Sequence, residues 1–306
     1  MTDTTIVIPT FRRPDDLARL LRSIDADVGG RDDVRIVVVD NDAAGSAGNA
    51  ARQASETLRL DIDYSVEPAP GVSNARNAAM ARVRSRFVMF LDDDMEVVPP
   101  YLDPMLNTAK RLEAPLTFGR AVANLPRGSE HLMEWLGPLF SRDLDRPTGL
   151  VSETLGTGGC LVDLQGITLP SPVFDPAFNE VGGEDDHFFA QIRAQLDRVA
   201  WCQEAFAWEH VPDHRATPDY LWRRHFAFGQ TPSQEAADAG LRGAPRVAFW
   251  MAVGGVQAAL HGARYGVLKA LGRPAQLSAL GRCAQGVGKM LWWDGLSPRL
   301  YGSAAK

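Results

Sequence analysis

At 306 residues, 45% hydrophobic and 23% charged, the chain can bury a sizeable core as one large domain, or as one domain plus an appendage. Its three cysteines are far apart and form no CxxC pair, which argues against a disulfide framework or zinc site and fits a reducing cytosol. The net charge of −6 conceals a split: Leu241 to Lys306 has nine bases and one acid (+8), while the first 240 residues have 23 bases and 37 acids (−14), so the main body disfavours nucleic acid and the tail suits an anionic partner.

Met1 to Thr5 is polar and the apolar stretch behind it is only Ile6 to Ile8, which does not read as a secretory signal. No run reaches the roughly 18 apolar residues of a membrane span. Thr5 to Ile8 reads as a short strand, closed by Pro9. A helix follows: Pro14 suits its first turn, Asp15 and Asp16 complement its positive end, and Leu17, Leu20, Leu21 and Ile24 form one apolar stripe. Val34 to Val39 is a buried strand that ends in Asp40, Asn41 and Asp42. A small-residue helix from about Ala47 to Thr57 comes next, then Leu60, Ile62, Tyr64 and Val66 alternate with polar residues as in an edge strand. Pro68 to Gly71 turns the chain into the helix SNARNAAMARV. Phe87 to Leu91 is a buried strand running straight into Asp92, Asp93 and Asp94.

The order β-α-β-α-β-α-β predicts a parallel sheet covered by helices on both faces. Ligands of such sheets sit beyond the carboxyl ends of the strands, where Thr10, Asp40 and the three aspartates all fall. Adjacent carboxylates repel each other, and a hard divalent cation, Mg²⁺ or Mn²⁺, relieves that repulsion; a solvated acidic turn would carry the same residues. GxGxxG and GxxxxGK[ST] are both missing, which disfavours ordinary dinucleotide and P-loop sites.

A helix over Tyr101 to Leu112 and a strand over Leu116 to Ala123 continue the domain. Asn124 to Leu155, rich in Pro, Gly and charge, reads as loop with a short helix. Leu155 to Leu164 is a Gly-rich turn and a strand. In GGEDDHFFAQIR the acids open a helix, as caps or as a general base held away from a metal. A strand near Val199 to Ala207 leads to WEHVPDHR. The basic tail has a helix over Thr217 to Gly229, a 14-residue apolar stretch over Val247 to Leu260, and a helix with the stripe Leu277, Leu280, Ala284, Val287 and Leu291 before Trp292 and Trp293. Basic amphipathic helices ended by Trp suit an anionic membrane surface; packing on the main body or on a second copy is the alternative.

IVIPTFRRPDDLARLLRSI, VVVDND, PGVSNARNAAM, FLDDDMEVVP and GGEDDHFFAQIR, in that order, resemble a family 2 glycosyltransferase over roughly residues 4 to 215. The resemblance implies an α/β fold of the GT-A type, a Rossmann-like, mostly parallel sheet flanked by helices. It divides the chain into a catalytic domain, 1–215, and a basic helical C-terminal extension, 216–306. It also implies a nucleotide-sugar donor, commonly a UDP-sugar, a divalent cation (Mn²⁺ or Mg²⁺), and inversion at the anomeric carbon. The acceptor hydroxyl would belong to a glycan, a lipid-linked sugar or a small molecule. The cysteines and the N-terminal residues point to the cytoplasm, and the membrane reading of the basic tail would put the enzyme at the inner face of the cell membrane. By the same likeness Pro9, Thr10 and Arg12 lie under the nucleotide and Asp40 meets its base or ribose. Asn74 and Arg76 grip the diphosphate, Asp92 and Asp93 contact the donor, and Asp94 with Asp92 holds the metal, with His210 a further candidate ligand. Asp185 is the base and Glu184 assists it. Gly159 stands where relatives often have Asn, and His187 where they often have a second acid. A nucleotidyltransferase would carry a Gly-rich phosphate loop after the first strand, which PTFRRP lacks. A non-catalytic nucleotide-sugar binder would not need both acid clusters.

Overall fold

The computed structural model describes residues 3–179 and 182–298. Seven elements build its first half: β1 (Thr4–Thr10), α1 (Pro14–Val28), β2 (Val34–Asp40), α2 (Gly48–Thr57), β3 (Ile62–Val66), α3 (Val72–Met80) and β4 (Phe87–Phe90). There follow β5 (Met95–Val98), α4 (Leu102–Leu112), β6 (Leu116–Asn124), α5 (Met133–Phe140), β7 (Gly149–Val151), β8 (Cys160–Asp163), α6 (Glu184–Ile192) and β9 (Val199–His210). The chain continues through α7 (Pro218–Ala237), α8 (Ala244–Ala270) and α9 (Gln276–Met290).

The strands form one sheet in the order β3-β2-β1-β4-β8-β6-β9-β5, with β7 also paired to β9. β3, β2, β1 and β4 are parallel, as the alternation of strands and helices requires. Beyond β4 the sheet is mixed: β8 is antiparallel to β4 and β6, β6 and β9 are parallel, and β5 and β7 run against β9. The reversal at β8 follows from its approach through a glycine turn at the rim, so it runs away from the ends of its neighbours.

Alternation along the strands feeds a core on each face. Ile6, Ile8, Ile36 and Val38 pack with Leu17, Leu20, Leu21 and Ile24 of α1. Val7, Val37 and Val39 share the other core with Ala75 and Ala79 of α3, Phe188 of α6 and Trp201. A third cluster, Leu132, Leu136, Phe140, Tyr220 and Leu221, seats α7 against α5.

In the tail, α9 packs on α7 and α8 mainly through small residues, with Leu277 of its stripe added against the Tyr220–Leu221 cluster. It buries Ala279, Gly281, Ala284, Gly286 and Gly288. A Cβ on Gly286 would lie 2.5 Å from the Ala258 nitrogen, and one on Gly229 2.2 Å from the Gln285 carbonyl, so the backbones touch. The rings of Trp292 and Trp293 stack with centroids 5.3 Å apart. Of the described helices, none is long and apolar enough to cross a membrane.

Candidate functional site

Strand register gathers the polar residues on one rim. Thr10 is paired with Asp40 at the ends of β1 and β2, and β4 runs directly into Asp92. β8 is antiparallel to β4 with Cys160 opposite Phe90, so the turn from Gly156 to Gly159 lies at the same end. β9 arrives there with Glu209 opposite Met95, and the His210 N–H donates to the Asp94 carbonyl at 2.8 Å.

The three aspartates differ in environment. Their side chains are 33%, 7% and 17% exposed for Asp92, Asp93 and Asp94. Asp93 points inward, where Thr10 Oγ1 donates to its Oδ2 at 2.8 Å and Arg13 Nη1 donates to its Oδ1 at 3.0 Å. Arg13 also reaches Asp94 Oδ2 at 3.1 Å. Burial pushes Asp93 up to about 7; Arg13 opposes the shift and Asp94 adds repulsion. Asp94 is displaced upward as well, by burial and by Asp92. It faces a polar cleft of about 560 Å³ shared with Arg13, Asn124, Arg127 and Glu130.

The second acid cluster joins the first through Arg76. Its Nη1 donates to Glu184 Oε1 at 2.6 Å and its Nη2 to Asp92 Oδ1 at 3.0 Å. The guanidinium is buried over the Phe174 ring, and burial opposes its charge; the fields of Asp92 and Glu184 still raise it above the ordinary arginine value. α6 delivers Glu184 because Gly182 and Gly183 take left-handed φ values of 75° and 87°, turning the chain sharply into its first turn. Phe188, Phe189 and Ile192 then fix α6 in the core, so its acidic end cannot drift. Asp185 is half-buried, and a Cβ on Gly156 would come within 3.1 Å of its Oδ2 and 3.6 Å of the Arg142 Cδ.

Arg142 and Glu209 complete the rim and were not identified as site residues from the sequence. Arg142 donates from Nε to the Gly158 carbonyl at 2.9 Å, and its Nη1 lies 2.7 Å from Glu209 Oε2. Burial pushes Glu209 up to about 7 against the pull of Arg142, and Asp94 and Asp92 repel it further. Gly158 is packed between the two charges: a Cβ there would be 2.6 Å from Asp92 Oδ2 and 2.8 Å from Arg142 Nη2. Glu209 stands in WEHVPDHR, but Arg142 follows α5 in a stretch with no local motif.

Several expected residues sit differently from the sequence expectation. Arg12 has a left-handed φ of 56° and turns outward, its side chain 67% exposed and paired with Asp42, so Arg13 takes the inward place. Asp40 is fully buried, and its carboxylate accepts from the N–H groups of Asp42 (3.0 Å) and Ala47 (2.7 Å) and from the Tyr64 hydroxyl (2.9 Å). It thus caps the start of α2 rather than presenting a free oxygen to a base or ribose. Asn74 donates to the Pro70 carbonyl at 3.0 Å, holding the turn before α3. The N-terminus of α3 is itself occupied, since the Ser73 N–H donates to Asn179 Oδ1 at 2.9 Å. Arg76 lies in the second turn of α3 with both ends on carboxylates, not on the open helix end. His210 lines the same cleft as Asp94, but both ring nitrogens have other partners: Nε2 lies 2.7 Å from Glu96 Oε2 and Nδ1 3.3 Å from Asn124 Nδ2. Pro9 is the half-buried penultimate residue of β1.

Among the described residues, no three His, Cys, Asp or Glu side chains enclose a metal site by themselves. The charge balance nevertheless fits a hard divalent cation. Seven carboxylates (Asp16, Asp92, Asp93, Asp94, Glu184, Asp185, Glu209) act on or beside four guanidiniums (Arg13, Arg76, Arg142, Arg215). The carboxylates thus outnumber the guanidiniums even with Asp93 and Glu209 pushed toward protonation, and the oxygens of Asp92 and Asp94 reach solvent. A cation bound by one or two carboxylates takes its other ligands from water and from a phosphate-bearing substrate.

Comparison with known proteins agrees with this architecture. The model of glycosyl transferase family 2 matches residues 5–157. The succinoglycan biosynthesis protein ExoM of Rhizobium meliloti (strain 1021) is 32% identical over 247 residues, 80% of this chain and 79% of ExoM. In fold, the chain is similar to the mannosyltransferase PcManGT from Pyrobaculum calidifontis, solved with GDP-Man and Mn²⁺, at a TM-score of 0.57 and 18% identity over 94% of this chain and 87% of that one. It is also similar to S. aureus TarS 1-349 in complex with UDP, at a TM-score of 0.53 and 15% identity over 80% of this chain and 69% of that one. It spans 42% of a longer TarS chain.

Proposed function

This chain belongs to glycosyl transferase family 2 and is a glycosyltransferase of GT-A type, and from that premise we propose that it moves a sugar from a nucleoside-diphosphate sugar to an acceptor hydroxyl in one in-line, inverting displacement. A UDP-sugar is the donor proposed first, because TarS binds UDP and UDP-GlcNAc; PcManGT binds GDP-Man, so a GDP-sugar is the comparison to run. ExoM, a succinoglycan biosynthesis protein, supports a growing glycan or lipid-linked sugar as acceptor and polysaccharide synthesis as the setting.

The observation that carries the reading is the Arg76 bridge. One guanidinium holds Asp92 and Glu184 at 3.0 and 2.6 Å, which brings the two acid clusters side by side as a single site would require. Asp185, next to Glu184 in the first turn of α6, is the proposed base: it takes the acceptor proton as the hydroxyl attacks C1. Glu184 and Arg76 fix that turn relative to the aspartates, and Thr10 and Arg13 hold Asp93 so that the loop keeps its shape. Asp94 and Asp92 would hold Mn²⁺ or Mg²⁺, which supplies charge neutralisation for the leaving diphosphate. The domain division proposed is a catalytic part, 1–215, and an extension, 216–306, that works against the anionic inner face of the cell membrane.

A panel of nucleotide sugars tested by thermal shift with and without Mn²⁺ or Mg²⁺ identifies the donor. The expected pattern is metal-dependent stabilisation by one nucleotide class, lost in Asp94→Ala. Stabilisation that ignores both metal and Asp94 would overturn the metal assignment.

A further inference from the structure

The longest helix of the tail, α8, is largely uncovered, with Gly254 its only buried residue. Phe249, Val256, Leu260, Val267 and Leu271 fall at successive steps of seven, four, seven and four residues along α8 and just past its end. At 3.6 residues per turn those steps return to nearly the same azimuth, so the five side chains form a single line. All five are 59% to 71% exposed, although they are large and apolar. Opposite the line, the middle of α8 touches α9: Gly254 meets Gly286 and Ala258 meets Cys283. The line also borders an apolar cleft of about 980 Å³, to which Phe249, Val256 and Leu260 contribute together with Trp135 and Leu139 of α5.

Charge gives the identity of the partner. From Ala239 to Trp293 the chain contains no Asp or Glu, while Arg246, Arg264 and Lys269 are exposed on α8 and Arg282 on α9. A protein partner would have to bring its own acids to match this surface; an anionic lipid surface supplies them everywhere. An apolar line with basic flanks on a helix too polar to span is the form of a helix lying in the membrane interface.

We propose that α8 is the membrane-contacting element of this protein, lying in the plane of an anionic bilayer surface with Phe249, Val256, Leu260, Val267 and Leu271 buried among the lipids. This rests on the membrane-facing reading of residues 216–306 and assigns it to α8. α9, whose stripe and terminal tryptophans read from sequence as the membrane face, instead buries its small residues against α7 and α8.

The test is flotation of the full chain with vesicles of phosphatidylcholine containing phosphatidylglycerol, and with phosphatidylcholine alone. Wild type binds the anionic vesicles and is released by high salt. Val256→Ser combined with Leu260→Ser weakens binding about thirtyfold, from the apolar area withdrawn, with the unfolding temperature unchanged because both sites are exposed. Absence of wild-type binding to either vesicle would remove the membrane reading as a whole. Equal binding by wild type and the double variant would leave that reading standing and overturn the assignment to α8. Light scattering covers the remaining case: a wild-type dimer that the substitutions convert to a monomer, with no vesicle binding, makes the line a contact between copies and overturns the proposal.

Discussion

Replacing Arg76 by Met separates two roles for the same residue. The side chain is 6% exposed and donates to Glu184 at 2.6 Å and Asp92 at 3.0 Å. Removing it leaves Glu184 buried without its cation, whereas Asp92 is one-third exposed and water replaces much of what it loses. A charged hydrogen bond contributes about 1.5–3 kcal/mol, and breaking a buried pair costs about 3–5 kcal/mol, so a loss of about 3–4 kcal/mol is expected. In a chain of this size that lowers the melting temperature by roughly 10 °C. Urea titration with and without Mn²⁺ measures it, and adding Glu184→Gln should recover about half by removing the stranded charge. A stability within about 1 kcal/mol of wild type, coupled with lost donor affinity, would refute the bridge and return Arg76 to the phosphate-binding role read from its place in SNARN.

Asp40→Ala removes the acceptor of two N–H groups and the Tyr64 hydroxyl, and should cost about 2–3 kcal/mol by denaturant titration, whatever nucleotide is present. Gly158→Ala places a methyl group 2.6 Å from Asp92 Oδ2 and 2.8 Å from Arg142 Nη2, so turnover should fall at least about tenfold while the circular dichroism spectrum is unchanged. The pH dependence without metal follows from Asp93, which burial pushes up to about 7. Between about pH 4 and 7 the folded state keeps a proton that the unfolded chain releases, so stability falls as pH rises through that window, on the order of 4 kcal/mol in total. Asp93→Asn should flatten the fall in chelator; an identical slope in the variant would contradict the assignment.

Much of this architecture was readable because it is local. The apolar stripe of α1, the unbroken Val34–Val39 strand and the acids behind Leu91 each declare themselves within about ten residues. The family resemblance and the glycosyltransferase class followed from motifs in order. What escaped depends on distance or on a single torsion. Arg142 reaches Gly158 and Glu209 from a loop with no pattern of its own. Arg12 and Arg13 exchange places because one φ is positive. Asp40 has the residue type of a ligand contact, but Tyr64, on the neighbouring strand β3, closes its second oxygen. In α9 the buried side is the one of glycine and alanine, since close backbone approach outweighs the area of leucine there, and a hydrophobic stripe does not reveal that.

The central claim is that the aspartates after β4 and the acids opening α6 serve one displacement, with Asp185 taking the acceptor proton. Its most direct measurement is transfer and donor binding by Asp185→Asn, side by side with wild type and the identified donor. The account predicts undiminished metal-dependent donor binding and no sugar transfer. Transfer at a near-normal rate by that variant would contradict it.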